Sequence, residues 1–393
     1  MTLRRVAPVY SPISAASLWA AAWASSGKRL APVPADFTPL RARYPTKDII
    51  FTNSGTAALC LALRATAHAV RKGRPSARVA LPAFCCPDIA TAAVGAGYGI
   101  LLYDVDPATL GPDTGSLSRA LSRGATHVVV THLFGRPVDV PAITALAQGE
   151  GAIVIEDAAQ HAGGRWQGVR AGALASWSVL SFGRGKGLNA GGGGAVLFDP
   201  GTLTESSPLL APRWKSLRTV LTAAAAELFV HPATYWGLAA IPALHIGETR
   251  YHEPSPVAGP SAANLALLAA ALEAEPRVLA ERQRIEAWYC EQLDSRPQLM
   301  LSPILPAGTS GALRFPVRIA REHAKRLARF GVARSYPRTL AAYPELAAHI
   351  EGPVEPLPGA SALAQTLHTL PTHALATDSD RWAIVEALRN ISH

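Results

Sequence analysis

The chain has 393 residues, of which 49% are hydrophobic and 17% are charged. This composition excludes a disordered protein and leaves room for two globular domains. The formal net charge of +9 favours an anionic ligand. Because the basic residues are scattered and form no stripe with aromatic residues, we expect a phosphorylated small molecule and no nucleic acid.

The chain begins with a basic pair followed by an alanine-rich stretch. A signal peptide is one interpretation, but the stretch lacks a leucine-rich core, so we expect a helix that leads into the fold. The four cysteines, among them the adjacent Cys85 and Cys86, lack the spacing of a metal site. We therefore expect a reduced, cytoplasmic protein without a structural metal.

Short apolar runs alternate with helix-length segments from residue 48 to residue 196. The predicted strands are residues 49–52, 78–81, 99–103, 127–130, 152–155, 177–180 and 195–198. Amphipathic stretches at residues 56–68 and 141–149 are predicted helices. This alternation predicts an α/β fold with a parallel or mostly parallel sheet and helices on both faces. Ligands of such sheets bind beyond the carboxyl ends of the strands.

An apolar insert follows at about residues 208–246, and its most apolar part is residues 219–246. The length would suit a membrane span, but Glu227, His231 and two prolines interrupt it. We expect a buried helical pair here. A surface that contacts a membrane or a lipid-linked substrate, and a true span, are the alternatives.

Glycine and proline punctuate residues 253–260, which predicts a hinge. It would divide the chain into a large domain of residues 1–252 and a small C-terminal α/β domain of residues 253–393. The small domain is predicted to begin with a long helix over residues 262–293 and to end with a helix over residues 379–390.

The first chemical motif is Asn53-Ser54-Gly55-Thr56, between a predicted strand and a predicted helix. A helix that begins at a glycine flanked by hydroxyl residues offers free backbone N–H groups to a phosphate. An ordinary helix cap explains the same residues equally well.

Two further motifs end apolar runs. Asp157 follows one run, and burying its carboxylate is costly unless a partner such as a protonated pyridine nitrogen compensates. Ser181 ends the next run, and Lys186 follows between two glycines. A lysine that forms a Schiff base and an acid that keeps a pyridine ring protonated are what a pyridoxal phosphate enzyme needs. Taken singly, Asp157 could be a structural cap and Lys186 a solvated loop residue.

In register, these motifs resemble the DegT/DnrJ/EryC1/StrS aminotransferases, which are fold type I pyridoxal phosphate enzymes that mostly aminate keto-sugars attached to nucleotides. The matching stretches are NSGTAAL, VTHLFGRPVDVPAITALA, VIEDAAQHAGG and SFGRGKGLNAGGGGAV. The resemblance is strong over about residues 48–200 and weak beyond them. It implies the pyridoxal 5'-phosphate cofactor and a homodimer whose active sites take residues from both subunits.

The resemblance also implies a role for each site residue. Lys186 would be the Schiff-base lysine and proton shuttle, and Asp157 would pair with the pyridine nitrogen. Gln160 would contact the side of the ring hydroxyl, and the phosphate would be held by Gly55, Thr56 and Ser181. The implied reaction moves an amino group from glutamate to a nucleotide-linked keto-sugar, in polysaccharide or secondary-metabolite biosynthesis. Elimination or decarboxylation on the same fold, and a non-catalytic regulatory protein, are the alternatives.

Three departures from the family pattern predict a divergent member. Cys86 stands where the family usually stacks an aromatic ring on the cofactor, with Phe84 nearby as a possible substitute. Gly192 stands where an acid commonly precedes the last glycines of the lysine loop. Residues 258–264 read AGPSAAN where the family usually has an Asn-x-Arg stretch that reaches the partner's phosphate. The substrate need not be a typical nucleotide sugar.

Overall fold

The computed structural model describes residues 4–26, 37–67, 77–203, 208–239, 241 and 249–391. Its strands are β1 Asp48–Thr52, β2 Arg78–Pro82, β3 Gly99–Tyr103, β4 His127–Thr131, β5 Ile153–Asp157, β6 Arg165–Trp166, β7 Val169–Arg170, β8 Trp177–Ser181, β9 Gly194–Phe198, β10 Gly308–Thr309, β11 Phe315–Arg318 and β12 Leu367–Leu370. Each of the seven predicted strands is present, with bounds that differ by no more than two residues.

The helices are α1 Ala15–Ser25, α2 Thr38–Arg41, α3 Gly55–Thr66, α4 Asp88–Gly95, α5 Thr114–Ser122, α6 Val140–Gly149, α7 Arg213–Phe229, α8 Pro232–Ala239, α9 Ala262–Gln292, α10 Arg321–Leu327, α11 Pro358–Thr366 and α12 Asp378–Arg389. The four helices predicted by position correspond to α3, α6, α9 and α12. The last residue of the first prediction, His68, lies outside the described residues.

Seven strands form the central sheet, in the order β1-β9-β8-β5-β4-β2-β3. Neighbours from β8 to β3 run parallel, whereas β9 is antiparallel to both β8 and β1. The prediction of a mostly parallel α/β sheet is therefore confirmed. Parallel order places the carboxyl ends of β5 and β8 side by side at one edge.

Helices cover both faces of this sheet. Alternate residues of a strand point to opposite faces, so a single strand shows the cover on each side. In β4, Val128 and Val130 pack in the core cluster that includes residues of α5 and α6. Val129 packs in the opposite cluster, which includes residues of α3 and α4. Near-continuous apolar runs are thus explained by cover on both faces.

A smaller antiparallel sheet of β11 and β12 forms near the C-terminus. Its core also takes Ile285 and Tyr289 from the second half of α9 and Ile384 from α12. The first half of α9 packs on the large sheet through residues such as Leu268. One long helix therefore joins the two cores. The domain boundary at residues 252 and 253 stays a prediction.

Helix α7 corrects the prediction of a buried helical pair within residues 208–246. Two helices are present, α7 and α8, but α7 buries only the small residues Ser216 and Ala223. Trp214, Leu221 and Leu228 are 58%, 61% and 68% exposed. The prediction was wrong about burial because α7 contacts α1 and α9 while burying only these two small residues, and the large side chains lie on the opposite side of the helix. Residues 240 and 242–248 of this stretch lie outside the described part.

The acid within the apolar stretch has a structural explanation. Glu227 accepts hydrogen bonds from the Tyr10 hydroxyl at 2.8 Å and from the Ile13 N–H at 3.2 Å. It therefore ties α7 to the segment that precedes α1. Among the described helices, none combines the length and the apolar character that crossing a membrane requires.

Candidate active site

One cleft at the carboxyl ends of β5 and β8 brings together every residue that the sequence indicated for cofactor binding. The predicted residues that line it are Gly55, Thr56, Cys86, Asp157, Gln160, Ser181 and Lys186. Asp88 at the start of α4 also lines the cleft and was not predicted. Residues far apart in sequence converge here because four elements end or begin at the same edge of the sheet.

The N-terminus of α3 forms one end of the cleft. Ser54 caps the helix, since its hydroxyl accepts a hydrogen bond from the Ala57 N–H at 3.0 Å. Gly55 lies directly against Ser181: a Cβ added to it would lie 2.6 Å from the Ser181 Cβ and 2.8 Å from its Oγ. A larger residue at this position would therefore force Ser181 or the start of α3 to shift. The helix-cap and phosphate-site interpretations are compatible, because the cap leaves the first N–H groups of α3 beside the Ser181 hydroxyl.

Asp157 is the last residue of β5 and is only 7% exposed. Its Oδ1 accepts a hydrogen bond from the Ala159 N–H at 3.0 Å. Burial raises the pKa of this carboxyl above its ordinary value, although the nearby Lys186 charge and the Ala159 hydrogen bond oppose the shift. A cationic donor in the cleft would favour the charged form and relieve this cost.

The neighbouring acid, Glu156, points away from the cleft and is structural. Its carboxylate accepts hydrogen bonds from the Gly172 and Leu174 N–H groups at 2.6 and 2.9 Å and from the Ser178 hydroxyl at 2.9 Å. The His132 Nε2 lies 3.1 Å from it. Burial alone would raise the pKa of Glu156, but the contact with His132 and the other hydrogen bonds lower it below the ordinary value. Alternation along β5 thus separates Glu156, whose two carboxylate oxygens both have partners, from Asp157, which forms no ion pair with any described residue.

The backbone around Lys186 is fixed, whereas its side chain is available. The Lys186 carbonyl accepts a hydrogen bond from the Ser11 hydroxyl at 2.5 Å, and Arg282 in α9 donates to the same hydroxyl at 2.6 Å. Within the described part of the chain, the ammonium group makes no hydrogen bond or ion pair. A lysine amine aimed into a cleft from a fixed loop is suited to react with a carbonyl group.

The rest of the lysine loop is bound to the start of α3. The Gly193 N–H donates to the Asn53 carbonyl at 3.1 Å, and the Phe182 N–H donates to the Gly193 carbonyl at 2.9 Å. Gly193 has a φ of +98°, a conformation that glycine adopts without strain. The stretch at residues 258–264 also contributes, since Asn264 donates to the Ala190 carbonyl at 2.8 Å. In this chain the AGPSAAN stretch therefore caps α9 and holds the lysine loop.

Two residues that sequence reasoning missed orient Gln160. Its Oε1 accepts from the Phe134 N–H at 3.2 Å, and its Nε2 donates to the Tyr336 hydroxyl at 2.9 Å. Phe134 has a φ of +58°, an uncommon value for a side chain with a Cβ, and its ring stacks on Tyr336. Phe134 lies within a quoted motif, but no spacing signal identifies Tyr336, which follows almost 180 residues after Gln160.

Cys86 lines the cleft at the position where the family pattern has an aromatic ring. Burial, reinforced by the Asp88 charge, raises the pKa of its thiol to about 12, so the thiol is neutral. Phe84 is a core residue instead: it is 1% exposed, and its ring meets Tyr336 edge-on at 5.4 Å. The structure therefore places a small neutral thiol, and not Phe84, at this wall.

These features fit the cofactor that the resemblance implies. The helix end and Ser181 suit a phosphate, and an added Cβ at Gly55 would disturb this cradle. Asp157 is a buried carboxylate that a pyridinium nitrogen would stabilise, and Lys186 is available for covalent attachment. The chemistry of each group therefore matches a different part of pyridoxal phosphate.

Residues 20–212 match the model of the DegT/DnrJ/EryC1/StrS aminotransferase family. An L-glutamine:2-deoxy-scyllo-inosose aminotransferase of Streptomyces lividus is 36% identical over 144 residues, which cover 37% of this chain and 33% of that protein. A dTDP-4-dehydro-2,3,6-trideoxy-D-glucose 4-aminotransferase of Saccharopolyspora spinosa is 31% identical over 179 residues, 46% of this chain and 45% of that protein. The chain thus matches less than half of the length of either relative.

The fold is similar over nearly the whole chain to a solved structure, the sugar aminotransferase CalS13 from Micromonospora echinospora. The TM-score is 0.74 at 21% identity, and the match covers 98% of this chain and 99% of that one. The similarity in sequence is therefore concentrated in the first half, whereas the similarity in fold extends to the C-terminus.

Proposed function

Through residues 20–212 the chain belongs to the DegT/DnrJ/EryC1/StrS aminotransferase family, and we propose that it is a pyridoxal phosphate-dependent aminotransferase. The observation that carries the proposal is the meeting of Lys186 and Asp157 in one cleft, with Ser181 and the start of α3 at its end. A structural role for Lys186 would not explain why its amine forms no hydrogen bond or ion pair with the described residues.

Pyridoxal phosphate, the cofactor of this family, supplies an electron sink for the carbon that carries the migrating amino group. Lys186 would hold the cofactor and, with its amine free, would carry a proton to and from the reacting carbon atoms. Asp157 would accept a hydrogen bond from the ring nitrogen and would keep that nitrogen protonated. Ser181 and the N–H groups of Gly55 and Thr56 would hold the phosphate.

We propose glutamate as the amino donor and a keto-sugar, nucleotide-linked, as the acceptor, in polysaccharide or secondary-metabolite biosynthesis. Both relatives are named as aminotransferases of a cyclic polyhydroxy ketone or a keto-sugar, and one name includes a nucleotide. The net charge of +9 supports a phosphorylated acceptor.

The proposal includes a cytoplasmic homodimer with active sites shared between subunits, as the resemblance implies. The proposal also includes, as a separate point, contact of residues 208–246 with a membrane or a lipid-linked substrate. The exposed tryptophans Trp19, Trp23 and Trp214 on the adjacent helices α1 and α7 support that part.

The absorbance spectrum of the purified protein tests the activity. With added pyridoxal phosphate we expect a visible band that disappears when glutamate is added and returns with a keto acceptor. Lys186→Ala should abolish the protein-bound band, whereas Lys325→Ala, at an exposed lysine of α10, should retain it. A wild-type protein that binds no cofactor would refute the proposal. A band that glutamate leaves unchanged would instead favour elimination or decarboxylation.

A further inference from the structure

A segment near the N-terminus lies between the lysine loop and the C-terminal part of the chain. Residues 4–13 form this segment, the N-terminal strap. At its first end, Arg4 forms an ion pair with Asp380 in α12. The His373 Nε2 lies 2.9 Å from the Ala7 carbonyl oxygen. The first half of the strap is therefore fastened to the C-terminal part of the chain.

The second half of the strap contacts the lysine loop. Ser11 is 4% exposed, and its hydroxyl donates to the Lys186 carbonyl at 2.5 Å. The Ser11 carbonyl accepts a hydrogen bond from the Asn189 side chain at 3.0 Å. Val9 lies beside Gly185, since a Cβ added to this glycine would be 3.2 Å from the Val9 Cγ1. The strap thus touches the loop before, at and after the reactive lysine.

The loop needs such contacts because its own backbone is weakly restrained around Lys186. Gly185 and Gly187 flank the lysine, and glycine restricts the backbone less than any other residue. The Lys186 N–H makes one hydrogen bond, a turn contact with the Gly183 carbonyl at 3.2 Å. Among the described residues, only the Ser11 hydroxyl donates to the Lys186 carbonyl. The position from which the lysine side chain extends into the cleft therefore depends on the strap.

A buried arginine sets the direction of the hydrogen bond to Lys186. Arg282 of α9 is 3% exposed and donates to the Ser11 hydroxyl at 2.6 Å and to the Tyr10 carbonyl at 2.9 Å. A guanidinium group can only donate, so the Ser11 oxygen accepts and its single proton is left for the Lys186 carbonyl. Burial lowers the pKa of Arg282 to about 10, so the group is still charged at neutral pH.

The burial of Arg282 is costly for the fold. Among the described residues it forms no ion pair, and its Nε–H has no acceptor. The partly buried Arg170, by contrast, is paired with Glu275. A neutral hydrogen-bond donor would avoid the cost of burying an unpaired cation. Such a loss of stability is expected where function requires a fixed geometry.

We propose that Ser11 and Arg282 are positioning residues that hold Lys186 in place for its reaction with the cofactor. The inference rests on the proposed function, in which Lys186 holds pyridoxal phosphate. In that reaction the neutral amine adds to the aldehyde carbon, and the aldehyde oxygen leaves as water with the two amine protons. Displacing a reacting group by about 1 Å can slow a reaction about 100-fold, so the backbone position of the lysine affects the rate. Because the strap is fastened to α12, that position also depends on the C-terminal part of the chain.

The rate at which pyridoxal phosphate becomes attached tests this role. Cofactor-free protein is mixed with saturating pyridoxal phosphate, and stopped-flow absorbance follows the visible band. We expect Ser11→Ala and Arg282→Met each to slow attachment about tenfold. The double variant should be no slower than either single variant, because both act through one hydrogen bond. Ser14→Ala is the matched control: it removes the N-cap hydroxyl of α1, three residues further along, and should attach the cofactor as the wild type does.

A second probe separates positioning from a general structural effect. Pyridoxamine phosphate has the same ring and phosphate but no aldehyde, so its affinity does not depend on attachment to Lys186. Isothermal titration should give the same affinity for this probe in Ser11→Ala as in the wild type. An equal loss of affinity and of attachment rate would overturn the positioning role, and so would attachment by Ser11→Ala at the wild-type rate. Ser11→Ala decides the outcome even if Arg282→Met does not fold.

The same preparations keep this inference distinct from the proposed function. The glutamate-driven loss of the visible band is measured on each variant. If glutamate removes the band in all of them and their attachment rates are equal, the positioning role fails and the proposed aminotransferase stands. A wild-type protein that never attaches pyridoxal phosphate would refute both.

Discussion

The lysine loop and helix α7 are neighbours, and both depart from the usual rule that charged side chains face solvent and apolar side chains are buried. In the loop, Lys186 has a tightly bound backbone and an amine that faces a partly enclosed cleft. In α7, Leu221 and Leu228 face solvent, while the acid Glu227 is bonded within the structure. The loop is explained by the ligand that its chemistry requires. The exposed apolar face of α7 is not covered by any described residue, so hydrophobic sequence alone did not determine its burial.

The strongest test of a cofactor site beside the lysine loop uses the two adjacent acids of β5. We expect Asp157→Asn to lower transaminase turnover on the order of 100-fold to 1,000-fold, because an amide cannot keep the ring nitrogen protonated. Steady-state assays with glutamate measure the loss. In the cofactor-free protein, the raised pKa of Asp157 means that its ionisation reduces stability as the pH rises through the range between its unfolded and folded pKa values. Asp157→Asn should therefore not destabilise that form at neutral pH.

Glu156→Gln is the matched control, since it makes the same chemical change one residue away. The pKa of Glu156 is lowered in the folded protein, so its negative charge stabilises the fold above the unfolded pKa of about 4.3. This stabilisation is lost as the pH falls through the folded pKa. We expect Glu156→Gln to cost about 2–3 kcal/mol at neutral pH in urea unfolding. Equal effects of the two substitutions on stability and turnover would remove the distinction between a site acid and a structural acid.

A smaller effect is expected at the contact between α3 and the loop. Gly55→Ala places a methyl group 2.6 Å from the Ser181 Cβ, so the helix start must move away. We expect the affinity for pyridoxal phosphate to fall about tenfold, which is about 1.4 kcal/mol, as measured by titration of the visible band. Gly201→Ala serves as the control for the added methyl group, because nothing lies within 4 Å of a Cβ there, although its φ of +80° adds some local strain. Unchanged affinity in Gly55→Ala would mean that the phosphate binds elsewhere.

The comparison also shows which features the sequence could predict. Asp157 and Ser181 end apolar runs, and parallel strands place such ends at one edge, so their convergence follows from local pattern. Tyr336 and Arg282 could not be predicted, because they reach the site through packing between distant parts of the chain. The prediction that α7 is buried was wrong for a related reason. The composition of a helix gives its apolar content but does not show which face its neighbours cover.

The smallest expected effect tests the exposed face of α7 directly. Leu221→Ser should change the free energy of unfolding by no more than about 0.5 kcal/mol, since the side chain is 61% exposed. Ala223→Leu, two residues along the same helix, should cost about 1–3 kcal/mol, because Ala223 is 1% exposed and packs near Gly191 of the lysine loop. Urea unfolding of both variants at several protein concentrations gives the comparison. A large, concentration-dependent loss in Leu221→Ser would show that a second copy of the chain covers this face, and α7 would then be buried after all.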